Sequence, residues 1–478
     1  MRRLVFGVFI ILFSPLAAAQ QTAEDEFAEA VPSHLPRTRW SEDWSVLKDA
    51  DHPYTAFWRP VKFIRLDAPG DKFLSIGGEV RSTYEQYDPA DRGLTEIGTE
   101  DVGLLRLAVH TDWHLGPRWR LFGQLGVALA GDRDGGNGLV DESHLNVWQL
   151  FADHTFSLKG EKKFTVRLGR QIVETANTFI TAGEANNLRL YHQGLRAALK
   201  IGDFVAADAF AMEAVDYAHG AFDMAGNGEY LWGGRVSRRL EDSGVALNFM
   251  YLGWDLLNRN FEQGAPEKYD ELRHTLMLWV NRPLTLDRRL GLDYYLAYQF
   301  GSYDDRPGGS EISAIGAYGG FEYALFPRVR TPIFGLKTSY FSGDGDPRDN
   351  ELNTFYDPVF GSPYFSYARD VMPYNLIHFQ PSIGYRFSRD LRAMLSYDVL
   401  WRESVGDGFY TDVNTLGVRA EASDARFIGT QTQIAVIWKA TRHINAQAHL
   451  VRFWAGDYIE EAGGGDQRYF HLGLTYLF

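Results

Sequence analysis

From Leu74 to the last residue, Phe478, apolar and polar side chains alternate with a period of two, segment after segment. In 102–114, Leu105, Leu107, Val109, Thr111 and Trp113 alternate with Arg106, Ala108, His110, Asp112 and His114. In 118–130, Trp119, Leu121, Leu125, Val127 and Leu129 alternate with Arg118, Arg120, Phe122, Gln124 and Ala128. The stretches 289–301 and 391–403 repeat the pattern. A period of two is that of a β-strand with one apolar face, and about ten residues is the length a tilted strand needs to cross a bilayer. About 18 such segments can be counted, an even number as expected for a single-chain bacterial barrel. Besides those four, they begin near residues 74, 143, 163, 192, 203, 228, 244, 270, 313, 332, 374, 427, 443 and 467. The predicted fold is therefore all-β: a transmembrane antiparallel β-barrel of about 18 strands.

The connections strengthen that reading, because they alternate between short and long. Gly116-Pro117, Ser157 to Lys162, Gly202-Asp203, Glu241 to Gly244, Ser388 to Asp390 and Ala440 to Arg442 are tight. Between them lie polar links at 86–101, 131–142, 173–191, 215–227, 257–269, 302–312, 343–373, 404–426 and 457–466. Short periplasmic turns and long extracellular loops give that asymmetry, and an even strand count puts both termini in the periplasm.

The start of the chain is a different kind of segment. Arg2 and Arg3 precede an apolar run from Leu4 to Phe13, and Ala17-Ala18-Ala19 follows Pro15. The run is too short for a spanning helix and fits a signal peptide over 1–19, with cleavage after Ala19. Residues 20–73 carry Pro32, Pro36, Pro53, Pro60 and Pro69 with little alternation, and are predicted to form a periplasmic N-terminal arm. The barrel then occupies 74–478. The final segment alternates through Phe470, Leu472, Leu474 and Tyr476 to Phe478. A last strand ending on an aromatic residue fits an assembly signal read by the barrel assembly machinery. These features place the protein in the outer membrane of a Gram-negative bacterium, in contact with its lipid.

Composition excludes several functions. The chain has no cysteine, so disulfides, thiolate metal sites and thiol catalysis are absent. A net charge of −14 argues against a nucleic-acid partner, which would need Lys and Arg gathered on one face. Mean hydropathy is −0.27, as expected when half of every strand faces water. No nucleophile elbow, zincin helix or P-loop occurs. His110 and His114 would share a face but sit about 13 Å apart, too far for one metal.

Following the alternation, the lumen receives Arg81, Arg106, Arg120, Arg167, Arg196, Lys200, Arg235, Lys337, Arg386, Arg392 and Arg402. It also receives Glu79, Asp112, Asp293, Glu322 and Asp398. Fixed positive charge lowers the barrier for an anion, and the carboxylates tune it. The plainer alternative for any one residue is a lumen ion pair of structural use only. The links carry Asp88, Asp91, Glu96, Glu100 and Asp101, whereas the turns carry Arg118, Lys159, Lys162, Lys163, Arg288, Arg289, Arg328 and Arg330. In Gly343 to Asn350, Asp344, Asp346 and Asp349 have a spacing that calcium loops use, although the run lacks the bidentate Glu of an EF-hand. A structural calcium is one reading and a solvated turn the other; no other cofactor is expected.

Several stretches together resemble one family. Trp44 to Leu66, FLSIGGEVRSTYEQYD at 73–88, HTDWHLGPRWRLFGQLGVAL at 110–129 followed by GDRDGG, and VRLGRQ at 166–171 are similar to segments of the alginate export family. So are YQFGSY and SYFSGDGDP further on, in the same order. The chain departs from the family at IVETANTFITAGEANNLRL after Gln171 and at LYHQGLR in 190–196, where members often carry an Arg-Ser-Phe-Asp-Gly stretch. The resemblance implies an 18-stranded porin with an arginine-lined, anion-selective lumen. Its expected function is passive conduction of an anionic polysaccharide or uronate-like anions, with net polymer movement driven by other secretion components. The alternatives are a nutrient-uptake porin for small organic acids and, from other classes, a barrel enzyme or an adhesin.

Overall fold

The computed structural model describes residues 38–478, apart from 50, 53, 55–56, 135, 139, 161, 174–185, 203–204, 217–219, 260–268, 304–309, 358–363 and 413–414. The expected signal peptide and the arm up to residue 37 lie outside the described residues. One sheet joins 20 strands; two are two-residue additions, and the other 18 form the wall. The first six are β1 Lys72–Asp88, β2 Glu100–Leu115, β3 Trp119–Ala130, β4 Ser143–Ser157, β5 Lys162–Gln171 and β6 His192–Ile201. Next come β7 Val205–Val215, β8 Gly226–Arg239, β9 Ala246–Arg259, β10 Tyr269–Arg282, β11 Leu290–Tyr303 and β12 Glu311–Ala324. The last are β13 Thr331–Phe341, β14 Leu376–Arg386, β15 Leu391–Arg402, β16 Phe427–Lys439, β17 Ile444–Ala455 and β18 Gln467–Leu477.

Each strand pairs antiparallel with the next, and β18 returns to β1, with Glu79 opposite Leu477 and Asp88 opposite Arg468. Closure leaves no edge, so every wall amide and carbonyl can bond within the ladder. The alternation sets the two faces. Leu107, Val109, Leu125, Leu296 and Leu474 are exposed outside, whereas Arg106, Ala108, Gln124 and Ala297 are buried inside. Trp113, Trp119, Trp438 and Phe387 ring the short-turn end of the outer face, and Tyr298, Phe300, Tyr340 and Trp454 ring the other. Two such girdles flanking an apolar band match the two interfaces of a bilayer.

Glycine permits a close backbone approach in this wall at β5. Gly169 has φ +130°, and a Cβ there would lie 2.2 Å from the Leu150 carbonyl oxygen. Its partner across β6 is Gly194. Gly169→Ala is expected to cut the yield of folded barrel severalfold, because the obstruction is backbone and cannot rotate away. Heat-modifiable migration on a gel checks this; a wild-type folded fraction would refute it.

The short connections, such as 116–118 and 387–390, gather at one end and the long ones at the other. The long segments do not stay outside. Segment 342–375 adds Glu351–Leu352 parallel to the start of β12, and segment 403–426 forms a hairpin of Phe409–Asp412 with Thr415–Val418. Phe355, Tyr356, Phe365, Met372, Tyr374, Phe409 and Tyr410 from these segments are buried in one cluster with wall residues Met250, Leu252, Met277 and Tyr295. The apolar core of this molecule is therefore loop packed inside barrel. Sequence periodicity could not show that, because these segments have none.

At the short-turn end, described residues between 38 and 66 pack on the seam between first and last strands. Arg39 donates to the carbonyl oxygens of Gly78, at 2.6 Å, and Phe478, at 2.7 Å, and pairs with Glu42. Lys62 is fully buried, 3.6 Å from Glu42 and over the Trp44 ring. Burial pulls the Lys62 ammonium down to about 8, with Glu42 pulling the other way. An undocked arm keeps this proton to about its ordinary 10.5. Between those values docking releases a proton, so docking should tighten as pH rises from 8 to 10.5. The hydrogen-exchange protection factor across residues 44–48, the observed rate set against the base-catalysed intrinsic rate, should rise over that range, and Lys62→Met should abolish the rise. A protection factor that stays flat or falls would contradict it.

Candidate functional site

Alternation places one charged residue from each of several adjacent strands at a similar depth near the short-turn end. Arg120 on β3 lies opposite Asp153 on β4, Asp153 opposite Arg167 on β5, and Arg167 opposite Arg196 on β6. On the next pair Asp208 lies opposite Arg235. The ion pairs follow this register. Arg120 grips Asp112 at 2.6 and 2.7 Å, and Arg167 grips Asp153 through two parallel bonds of 2.7 and 2.8 Å. Asp208 serves two guanidiniums, Arg235 at 2.8 Å and Arg196 at 3.4 Å.

Four arginines thus face Asp112, Asp153 and Asp208, and one positive charge is left over. The excess is felt at Arg196, which holds only half of a shared carboxylate. Arg196 Nε and Arg167 Nη1 are buried and carry no hydrogen bond among the described residues. Trp40 of the arm sits beside this belt: the Arg167 guanidinium lies 4.1 Å from its ring centre and 3.6 Å from that of Phe151. A cavity of about 370 Å³ opens here, bounded by Trp40, Arg120, Asp153, Thr165, Arg167 and Arg196.

A second basic cluster lies deeper, where the wall meets the inward segments. Arg106 pairs with Glu79 at 2.5 Å, and Arg81 and Arg106 both donate to the Asn186 carbonyl. Arg369 joins Glu85 at 2.5 Å and the Asn186 side chain at 2.9 Å. Arg133 reaches Asp141 at 2.9 Å, Glu100 at 3.1 Å and Glu85 at 3.5 Å. Burial would pull the Arg133 guanidinium down, but Asp141 and Glu85 outweigh it and hold it above its usual value. This cluster fixes loops to wall with charge-assisted bonds, so the inner surface is preorganised.

The remaining sequence-predicted residues separate by depth. Arg386 lies half-buried opposite Arg392 near the short-turn end. Arg392 is 3.9 Å from Glu322, and Asp293 accepts the Trp279 indole N–H at 2.5 Å. Lys337 rests over the Tyr364 ring at 4.3 Å. Arg402 is placed otherwise than a channel lining requires. It is fully buried and donates to the carbonyls of Val405, Asp407, Ser423 and Ala425, stacked on Tyr458. Alternation gave its face correctly, but at that depth the inner face is covered by segment 403–426. Asp344, Asp346 and Asp349 each accept a backbone amide two residues on, as turn-capping aspartates do. Among the described residues no three carboxylate or histidine side chains converge as metal ligands.

Asp153, Asp208 and Trp40 were not singled out from the sequence. The two aspartates had a usable signal, being lone carboxylates at inward positions of arginine-flanked strands. Trp40 had none, because the arm has no period.

A sequence profile of the alginate export family matches residues 72–471, almost the whole wall. The chain belongs to the alginate export family. No curated protein sequence matches it. Among solved structures, Pseudomonas aeruginosa OccK5 (OpdH) is similar with a TM-score of 0.52 and 14% identity, over 85% of this chain and 98% of that one. Pseudomonas aeruginosa OpdK, solved with vanillate, has a TM-score of 0.52 and 12% identity, over 85% and 98% of the two chains. Acinetobacter baumannii OccAB1 has a TM-score of 0.52 and 12% identity, over 84% and 96%. At such identities the likeness is one of fold. This alginate export family member is an outer-membrane β-barrel channel, with its apolar band in lipid and its charged belt within. Among the described residues no helix is long and apolar enough to cross a membrane.

Proposed function

We propose that the protein is a passive, anion-selective channel for uronate-type anions, as free acids or as segments of an acidic polysaccharide. The observation that carries this is the belt of Arg120, Arg167, Arg196 and Arg235 against Asp112, Asp153 and Asp208, with one cation in excess. A fixed excess charge facing a low-dielectric passage favours the counter-ion more than it would in open water. Its guanidinium forks match carboxylate geometry.

A second reading, uptake of small organic acids, is favoured by one feature: Phe355, Tyr356, Phe365, Tyr374, Phe409 and Tyr410, from the segments between β13 and β14 and between β15 and β16, pack inside the barrel against the wall. OpdK, a barrel of the same fold, was solved with an aryl carboxylate. Reversal potentials in planar bilayers under a salt gradient test the common claim, and anion selectivity is expected. Graded uronate oligomers then separate the readings. Block that strengthens with chain length supports the polyuronate, and block by monomers alone supports small acids. Cation selectivity would overturn both.

A further inference from the structure

Across the lumen from the arginine belt, β10 to β15 enclose a second cavity of about 370 Å³ on the short-turn side. Its boundary includes Trp279, Lys337, Gln380 and Arg392 from the wall, and Tyr364 and Tyr367 from segment 342–375. We infer that this chamber is a binding site for a carboxylate borne on a six-membered ring, with the carboxylate at Lys337 and the ring against the two tyrosines. The inference rests on reading the protein as an anion channel and adds a site that the belt does not contain.

Three observations carry it. The first is charge. Unlike Arg120, Arg167 and Arg235, Lys337 has no carboxylate within ion-pair distance among the described residues; its ammonium lies 4.3 Å from the Tyr364 ring and 3.5 Å from that residue's carbonyl, with Glu322, Asp398 and Asp293 acting on it from further off. An ammonium has three donors, so capacity for a carboxylate remains. Each of those acids has a nearer partner: Asp293 accepts the Trp279 indole N–H, Asp398 accepts from Gln380 and Gln433, and Glu322 lies 3.9 Å from Arg392. The second is the aromatic surface. Tyr364 packs 4.7 Å from Tyr318, which stacks 4.9 Å from Tyr295, extending an apolar face from the chamber along the wall. A sugar ring's C–H face or an aryl ring fits such a surface, and a bare small anion does not use it. The third is rigidity. Gln431 and Gln433 both donate to the Phe365 carbonyl, at 2.7 and 3.1 Å, and Gln433 accepts the Tyr367 amide at 2.8 Å. The segment that carries both tyrosines is thus pinned to β16, and the chamber exists before its ligand arrives. Preformed sites lose little affinity to ordering.

Calorimetry on the full barrel in detergent tests this, with galacturonate, benzoate, acetate and glucose as probes. Galacturonate or benzoate should bind at least tenfold tighter than acetate or glucose, and Lys337→Gln should lose about tenfold while keeping the folded gel mobility. Binding of galacturonate alone assigns a uronate, and binding of benzoate alone an aryl acid; either supports the site. Tyr364→Leu should weaken the ring acids and leave acetate unchanged. Equal binding of acetate or glucose, or full affinity in Lys337→Gln, would overturn the inference. Arg196→Gln separates the two claims, since it should alter ion selectivity and leave this binding intact. Anion selectivity without Lys337-dependent binding would sink the chamber alone. Cation selectivity with that binding preserved would sink the channel reading alone.

Discussion

Arg196→Glu is expected to turn an anion-selective channel into a cation-selective one, read as a change of sign of the reversal potential at low salt. The reason is local arithmetic. The belt has four arginines and three aspartates, and Arg196 is the guanidinium with the weakest claim on a carboxylate, 3.4 Å from an Asp208 that Arg235 already holds at 2.8 Å. Reversing one charge takes the belt from an excess of one cation to an excess of one anion. Arg196→Gln should give intermediate selectivity, and Asp208→Asn should raise anion preference by freeing both Arg196 and Arg235. The three results form an ordered series, which a merely structural belt would not produce. The effect should shrink near 1 M salt, where the screening length falls to about 3 Å. A reversal potential unmoved across the series would remove the belt from the conduction path.

Much of this architecture was legible in the sequence because a membrane leaves a barrel so little freedom. The strand starts expected near 143, 192, 391, 427 and 467 coincide with those observed, and the other expected starts lie within a residue or two. A slip of one residue would turn a whole apolar face inward, so the pattern must be strict. The same rule put Arg120, Arg167, Arg196 and Asp112 on the inner face. It could not give depth. Arg402 and Arg196 obey one alternation, yet one closes a loop against four carbonyls and the other borders a cavity. Nor could it show what the long segments do. Segment 342–375 reads as a solvated loop, and only its packing shows Phe365 and Tyr374 in the core. Those residues answer to tertiary contacts, which carry no period.

The contrast between wall and arm leads to the largest stability effect. Hydrogen bonds along 18 strands hold the barrel, but its closure must bring together Gly78 and Phe478, from opposite ends of the wall. Gly78 and Phe478 exchange backbone bonds of 2.8 and 3.0 Å, and Arg39 bonds the carbonyls of both. Arg39→Ala should therefore cost about 3–5 kcal/mol, the penalty of leaving one partner of a buried pair alone. The stranded partner is Glu42, buried, with only the Trp44 indole at 2.7 Å and Lys62 at 3.6 Å remaining. Urea unfolding of the full chain in detergent would measure it. The double variant Arg39→Ala/Glu42→Ala should be less destabilised than the single one, because it removes the stranded charge as well. The pH dependence follows from the same contacts. Burial pushes the Glu42 carboxyl up, and Arg39 with Lys62 outweighs it, so in the native arm it sits below its ordinary 4.5. Its contribution is present above that value and fades as pH falls through the depressed one. Without Arg39, burial meets weaker opposition and the carboxyl moves up, so the defect of the single variant should shrink as pH is lowered toward 4.5. A single variant as stable as wild type, or a double variant worse than the single, would show that the seam closes without this latch.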